Sequence, residues 1–277
     1  MSKFKRVKKL SVWRKLALVT WSPPGDPSVY GQFEFDATNA IQFIADYNKK
    51  HNSKVTITHF AAKAVGLTIA KYPGINGLIK WGQLYARDSV DIFLQVAIPF
   101  KNDDTKENLS GAKINKIDKK PLREIVNELG DQVHDIRDDR DPQFQKTFDM
   151  AKRIPVWLLK PLVRIHEFLV YNLNINAPSL GMVPDPFGSA MVTSVGSLGI
   201  PPGLAPLVPP SRCPIVICVG KAEDKAWVVD GKIEIRPIIS YTATFDHRFM
   251  DGLVGSRMFK RFMEVLENPA EHMDASQ

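Results

Sequence analysis

Among the titratable side chains of this sequence, His247 stands where chemistry is best supported. The run from Ile238 to Leu266 opens with Ile239, Tyr241, Ala243 and Phe245 alternating with Ser240, Thr242 and Thr244, the period of a half-buried strand. It breaks at Asp246-His247-Arg248, then resumes after Asp251-Gly252 with Leu253, Met258, Phe259, Phe262, Met263 and Leu266 at helical spacing. A histidine between a rigid strand and a helix start is held in aim. Imidazole exchanges a proton near neutrality, at roughly pH 6.5, so general-base work is the chemistry on offer. In the pattern H-x-x-x-D-G, Asp251 would orient the loop and Gly252 would allow a sharp turn into the helix. The same spacing suits a histidine that caps a turn with a structural aspartate behind it, and spacing alone leaves both readings open.

A second stretch carries hydroxyls. Ser189 to Ile200, SAMVTSVGSLGI, reads as a strand running into a glycine-rich turn, without the spacing or context of a phosphate-cradling loop.

These two stretches share a resemblance. SYTATFDHRFMDG resembles the D-H-R-x-x-D-G signature of the 2-oxoacid dehydrogenase acyltransferases, a family that shares its fold with chloramphenicol acetyltransferase. SAMVTSVGSLGI is similar to the family's F-T-x-S-N-x-G-x-x-G, with Gly196 and Gly199 on the two glycines. The family's active-site serine then falls on Thr193 and the residue after it on Ser194. Threonine keeps the hydroxyl but adds a methyl and stiffens the rotamer, which puts rate and substrate fit in question. Trp13-Arg14-Lys15 resembles the neighbourhood near the start of chloramphenicol acetyltransferase from which an arginine pairs with the motif aspartate. By that resemblance Arg14 is a partner for Asp251; as plain sequence it is equally a part of the basic arm.

The elements that must position these residues follow from pattern. Val29 to Phe35 predicts a strand, followed by a helix capped by Asp36 or Thr38 that carries Ile41, Ile44, Ala45 and Tyr47. Thr58 is expected to cap the next helix, HFAAKAVGLTIAKYP, whose small residues suit close packing on a sheet. Leu78 to Tyr85 predicts a hairpin turning at Trp81-Gly82, and Val90 to Ile98 alternates as a central strand. After it the family usually has a G-L-x-x-P run; PFKNDDTKENLSGAKI stands here instead, so coenzyme A contacts are not transferred to it. Asp118 to Gly130 predicts a helix with Pro121 in its first turn and Gly130 at its end. Asp230-Gly231 marks a turn between the last two strands.

Composition sets the frame. The 277 residues are 44% hydrophobic and 24% charged, the profile of a globular chain with a substantial core. The net charge of +7 resides in Lys3, Lys5, Arg6, Lys8, Lys9, Arg14 and Lys15; the remainder holds 30 basic and 30 acidic residues. Residues 1–25 therefore read as a basic arm, and by the resemblance 26–277 is the catalytic domain. The arm is either a solvated tail or a contact for an anionic surface, and no stacking motif or recognition-helix pattern supports nucleic acid. The two cysteines suggest neither a disulfide framework nor a zinc site, and Cys218, in the apolar run PIVICVG, reads as a buried thiol. A cytoplasmic location is expected. Residues 131–187 depart most from the family pattern and read as an extended helical insertion. Within it Leu158, Leu162, Ile165, Leu169 and Leu173 form an apolar stripe expected to pack on the domain or a neighbouring subunit, with a membrane surface as the other reading for helix 154–173.

The resemblance implies an α/β, chloramphenicol acetyltransferase-like two-layer sandwich: a mixed sheet with helices on its outer faces. It also implies acyl transfer with coenzyme A as acyl-CoA substrate, His247 as general base and Thr193, helped by Ser194, on the oxyanion. It further implies a homotrimer in which the histidine of one subunit meets the hydroxyl of its neighbour. With no lipoyl domain expected ahead of the catalytic part, the chain is expected to carry no lipoyl group and to be free-standing, drawing acyl groups from a separate acyl-carrier or lipoyl protein or serving another acceptor. The alternative is a noncatalytic trimeric scaffold that keeps the fold.

Overall fold

The computed structural model describes residues 25–100, 103–137, 154–178 and 182–273. Arg14 and the rest of the basic arm to position 24 lie outside them, as does most of the charge run after position 137. Strands from both halves of the chain build one six-stranded mixed sheet. Its members are β1 (Ser28–Asp36), β4 (Ile92–Phe100), β5 (Asp103–Ile114), β6 (Ala190–Ser194), β7 (Ile215–Val229) and β8 (Lys232–Asp246), in the order β1-β8-β7-β6-β4-β5. The β4–β6 and β6–β7 pairs are parallel and the others antiparallel. A separate hairpin joins β2 (Gly77–Lys80) to β3 (Gln83–Ala86). Both tight turns fall where expected: Trp81 and Gly82 at φ 55 and 70, Asp230 and Gly231 at φ 48 and 78. Two successive positive φ angles match the right-handed twist of the flanking strands, and glycine supplies the second without strain.

One face of the sheet carries the main core. Phe35, Leu94, Val192, Ile217 and Tyr241 point to it and are buried under α1 (Thr38–His51), α2 (Ile57–Lys71), α3 (Leu122–Arg137) and α5 (Gly252–Glu267). The opposite face is covered by chain rather than helix. Met191, Val216 and Cys213 pack with Phe187, Ala205, Leu207 and Val208. The Thr242 and Thr244 hydroxyls donate to the carbonyls of Gly203 and Ala205, 2.6 Å each, and strap the proline-rich segment 201–214 to the sheet. Cys213 and Cys218 are both buried free thiols, and burial pushes the Cys213 thiol up to about 12.

Four local features go against or beyond expectation. Thr56, not Thr58, caps α2: it is extended, and its backbone N–H donates to His59 Nδ1 at 3.1 Å in a capping box. The helix α3 runs through Gly130 to Arg137, because Leu122, Ile125, Leu129 and the half-buried Val133 continue one apolar stripe past the glycine. The stretch after Phe100 forms edge strand β5, held to β4 by the buried Ala112 and Ile114. Finally, within one chain the 158–173 stripe does not pack on the domain as one face. α4 (Val156–Glu167) leaves Leu158, Leu162 and Ile165 exposed. A π-turn at Phe168–Asn172, with Leu173 N–H donating to the Phe168 carbonyl at 3.1 Å, then rotates the following turn so that Val170 and Tyr171 are buried.

Part of the insertion is tied down by a buried cation. Arg87 reaches from just beyond β3 to Asp185, Nε to Oδ2 at 2.7 Å and Nη2 to Oδ1 at 2.9 Å, and also donates to the Gly77 carbonyl. Burial alone would lower its pKa, but the Asp185 carboxylate holds the guanidinium above its usual range.

Candidate active site

His247 leaves the end of β8 on a turn that the chain fixes from several sides. Asp246, buried, accepts the Arg248 side chain in a fork, Nε to Oδ1 at 2.9 Å and Nη2 to Oδ2 at 2.6 Å, and the Arg248 backbone N–H at 2.9 Å. This pairing holds the Arg248 guanidinium above its usual range. The His247 N–H donates to the Pro27 carbonyl at 2.9 Å, and the Phe249 N–H to the Asp246 carbonyl at 3.0 Å. Asp and Arg flanking the histidine therefore lock its backbone and leave the exposed ring free to act. Adjacent opposite charges were the sequence signal for this lock, and the reading above gave them no role.

Asp251 is the N-cap of α5; its Oδ1 accepts from the Val254 N–H at 2.9 Å. In the described residues its carboxylate thus serves the helix that follows His247, while the expected partner Arg14 lies outside them. Gly252 differs from expectation. It has no positive φ, and an added Cβ would meet nothing within 4 Å, so the turn itself does not require glycine.

His247 lines a cavity of about 490 Å³ between the helix-bearing face of the sheet and the helices α2 and α5. Its floor follows from register. Gly31 of β1 stands opposite Ala243 of β8, which stands opposite Ile217 of β7, with Val29, Phe245 and Ile215 forming the next row on the same face. Val65 and Ile69 of α2 and Gly255, Ser256 and Phe259 of α5 make the roof. The exposed wall members His247, Gly252, Ser256 and Phe259 mark its surface side.

Thr193 and Ser194 do not join this site within one chain. Thr193 pairs with Cys218, which pairs with Thr242, five residues before His247. Strand rise and strand spacing then separate Thr193 from His247 by about 19 Å. Thr193 also shares a face with Met191, on the side covered by the proline-rich segment, opposite the cavity. Ser194 ends β6, and the glycine turn follows as expected, a 3-10 turn at Gly196–Leu198 closed by Gly199 at φ 73. No group of three or more His, Cys, Asp or Glu side chains among the described residues is placed to hold a metal ion.

A mixed sheet with a histidine turn at the end of its longest hairpin defines a class of fold, and the comparisons agree on it. The chain matches the model of the 2-oxoacid dehydrogenases acyltransferase (catalytic domain) family over residues 19–143 and 187–273. It belongs to that family. The dihydrolipoyllysine-residue succinyltransferase component of the 2-oxoglutarate dehydrogenase complex of Rickettsia typhi (strain ATCC VR-144 / Wilmington) is 23% identical over 240 residues, 85% of this chain and 48% of that protein. The chain thus spans about half the length of the curated relatives it matches. Among solved structures, the cubic core of the pyruvate dehydrogenase multienzyme complex is similar with a TM-score of 0.64 and 20% identity, over 90% of this chain and 85% of that one. A probable dihydrolipoamide acetyltransferase from Listeria monocytogenes 4b F2365 is similar with a TM-score of 0.60 and 16% identity, over 96% and 95%. At these identities the structures establish the fold.

Proposed function

We propose that this chain is a coenzyme A-dependent acyltransferase that moves an acyl group between coenzyme A and a thiol or hydroxyl acceptor, with His247 as general base. The observation that carries the reading is the imidazole itself, exposed on a turn locked by Asp246 and Arg248 and set in the wall of an apolar cavity. In the forward step the acceptor S–H or O–H gives its proton to His247, and its sulfur or oxygen attacks the thioester carbonyl. The tetrahedral oxyanion collapses, the carbon–sulfur bond to coenzyme A breaks, and the imidazolium returns the proton to the departing thiolate.

Thr193 is the proposed oxyanion donor, supplied by a neighbouring copy. The separation of about 19 Å and the opposite faces rule out an approach within one subunit, and a homotrimer with inter-subunit sites meets that need. The tip of the β7–β8 hairpin supports self-association, since Val228, Ile233 and Ile235 are 69%, 77% and 80% exposed. In this reading the acyl group is exchanged with a separate acyl-carrier or lipoyl protein. A membrane-surface contact through the basic arm and helix 154–173 draws its support from the exposed Trp157, Ile165 and Phe168. Among the described residues, no helix is long and apolar enough to cross a membrane. Vesicle flotation with and without residues 1–24 tests that contact, and unchanged recovery in the two proteins removes the arm from it.

The test of the enzyme reading is acyl exchange from acyl-CoA donors onto a small dithiol, measured for the intact protein and His247→Ala. Transfer lost in the variant sustains it. Equal, background-level turnover in both leaves the noncatalytic scaffold as the function.

A further inference from the structure

We propose that the cavity beside His247 is the acyl pocket, and that it takes a saturated aliphatic acyl chain of medium length rather than an acetyl or succinyl group. This rests on the acyltransferase reading and names its substrate class. Size is the first support. A chain methylene is close in size to a water, whose share of the liquid is roughly 30 Å³. A cavity of about 490 Å³ therefore has room for on the order of ten chain carbons beyond what solvent keeps at the opening. An acetyl group would leave most of it empty.

The wall chemistry is the second support. Among the described residues, His247 is the only ionisable side chain in the lining, and its other polar groups are Gln32, Thr68 and Ser256. The Thr68 hydroxyl already donates to the Ala64 carbonyl at 2.8 Å. Among the described wall residues a succinyl carboxylate would find no lysine or arginine, which is costly, whereas each methylene gains by leaving water.

The third support is how the space is made. Three wall residues are glycines, Gly31 in β1 and Gly252 and Gly255 in α5. None has a positive φ, and the nearest atom to an added Cβ at any of them is Met250 Sδ, 3.9 Å from that of Gly255. Glycine weakens a strand interior and a helix alike. No backbone conformation asks for it here, and larger side chains would fit. What the missing side chains leave is open volume, bordered by Ala243 on the floor, that an apolar occupant can fill.

The experiment measures kcat/KM for straight-chain acyl-CoA donors of two to twelve carbons with a small hydrophilic thiol acceptor, the acylated product being read by mass spectrometry. The expected profile climbs by up to about fourfold per methylene, the factor for burying a CH2, and levels near eight to ten carbons. Gly255→Leu and, separately, Gly31→Val should move the optimum to shorter donors. Octanoate binding by calorimetry gives a second readout: it should be weakened by both substitutions and exceed acetate and succinate binding. A profile that peaks at acetyl or succinyl overturns the proposal while leaving the acyltransferase reading intact. If no donor turns over, that reading fails, and octanoate binding decides the pocket: binding lost in both filled variants sustains it, and no binding overturns it.

Discussion

A general base needs a fixed backbone and an open ring, and His247 has both. Because its side chain is exposed, His247→Ala should leave the melting temperature unchanged while lowering the transfer rate by about 10²–10⁴-fold; a fall in melting temperature that accounts for the lost rate would count against the role. At Thr193 the hydroxyl, not the methyl, is the proposed working part. Thr193→Ser should stay within a few-fold of the native rate, and Thr193→Val should lose about 10²–10³ in kcat, as for removal of one oxyanion donor. Equal rates in the two variants would strike Thr193 from the mechanism. The H-x-x-x-D-G spacing and the hydroxyls before a glycine turn were legible from residue order. Asp251 was given the loop rather than the helix, although an aspartate just ahead of a helix is a cap signal; its carboxylate accepts the Val254 N–H of α5.

Among the elements, caps and glycines give the sharpest tests. His59 closes the α2 capping box by accepting the Thr56 N–H, and burial pushes its imidazole from 6.5 down to about 4. The unfolded chain therefore binds a proton that the folded chain refuses between those values. Stability from this site is complete above about pH 6.5 and is lost as the pH falls toward about 4, a loss of up to about 3 kcal/mol. His59→Gln, which keeps a capping-box acceptor, should flatten the acid limb of a denaturation series across that window. Gly130 lies inside α3, exposed, with nothing within 4 Å of an added Cβ. Gly130→Ala should thus stabilise the protein by about 0.5–1 kcal/mol in urea titration. Sequence placed a helix end at Gly130 because glycine commonly follows a last turn. The structure overrides it because Val133 still has core to bury in.

For the whole molecule, the roles proposed for His247 and Thr193 require an assembly, since about 19 Å separates the two within one chain. His247→Ala and Thr193→Val proteins, each inactive, should regain activity when unfolded together and reassembled. Random mixing leaves about a quarter of inter-subunit sites intact. No recovery, with mixed assemblies shown to form, would remove one of the two groups from the mechanism. Ile233→Lys with Ile235→Lys should lower the oligomeric mass in sedimentation and the transfer rate together, the exposed hairpin face being the proposed contact.

Local pattern determined a good deal of this protein: most strands, the two tight turns, most helices and the histidine turn all follow from periods of two or 3.6 and from glycine and aspartate in turns. Those signals reach only a few residues along the chain, and they end where partners come from far away. Tertiary structure alone decided that Arg87 meets Asp185, that α3 outlasts its glycine, that the 158–173 stripe is split by a π-turn, and that Gly31, Ala243 and Gly255 surround one cavity. Each depends on which side chains register and packing bring opposite one another, and residue order encodes that only through the finished fold.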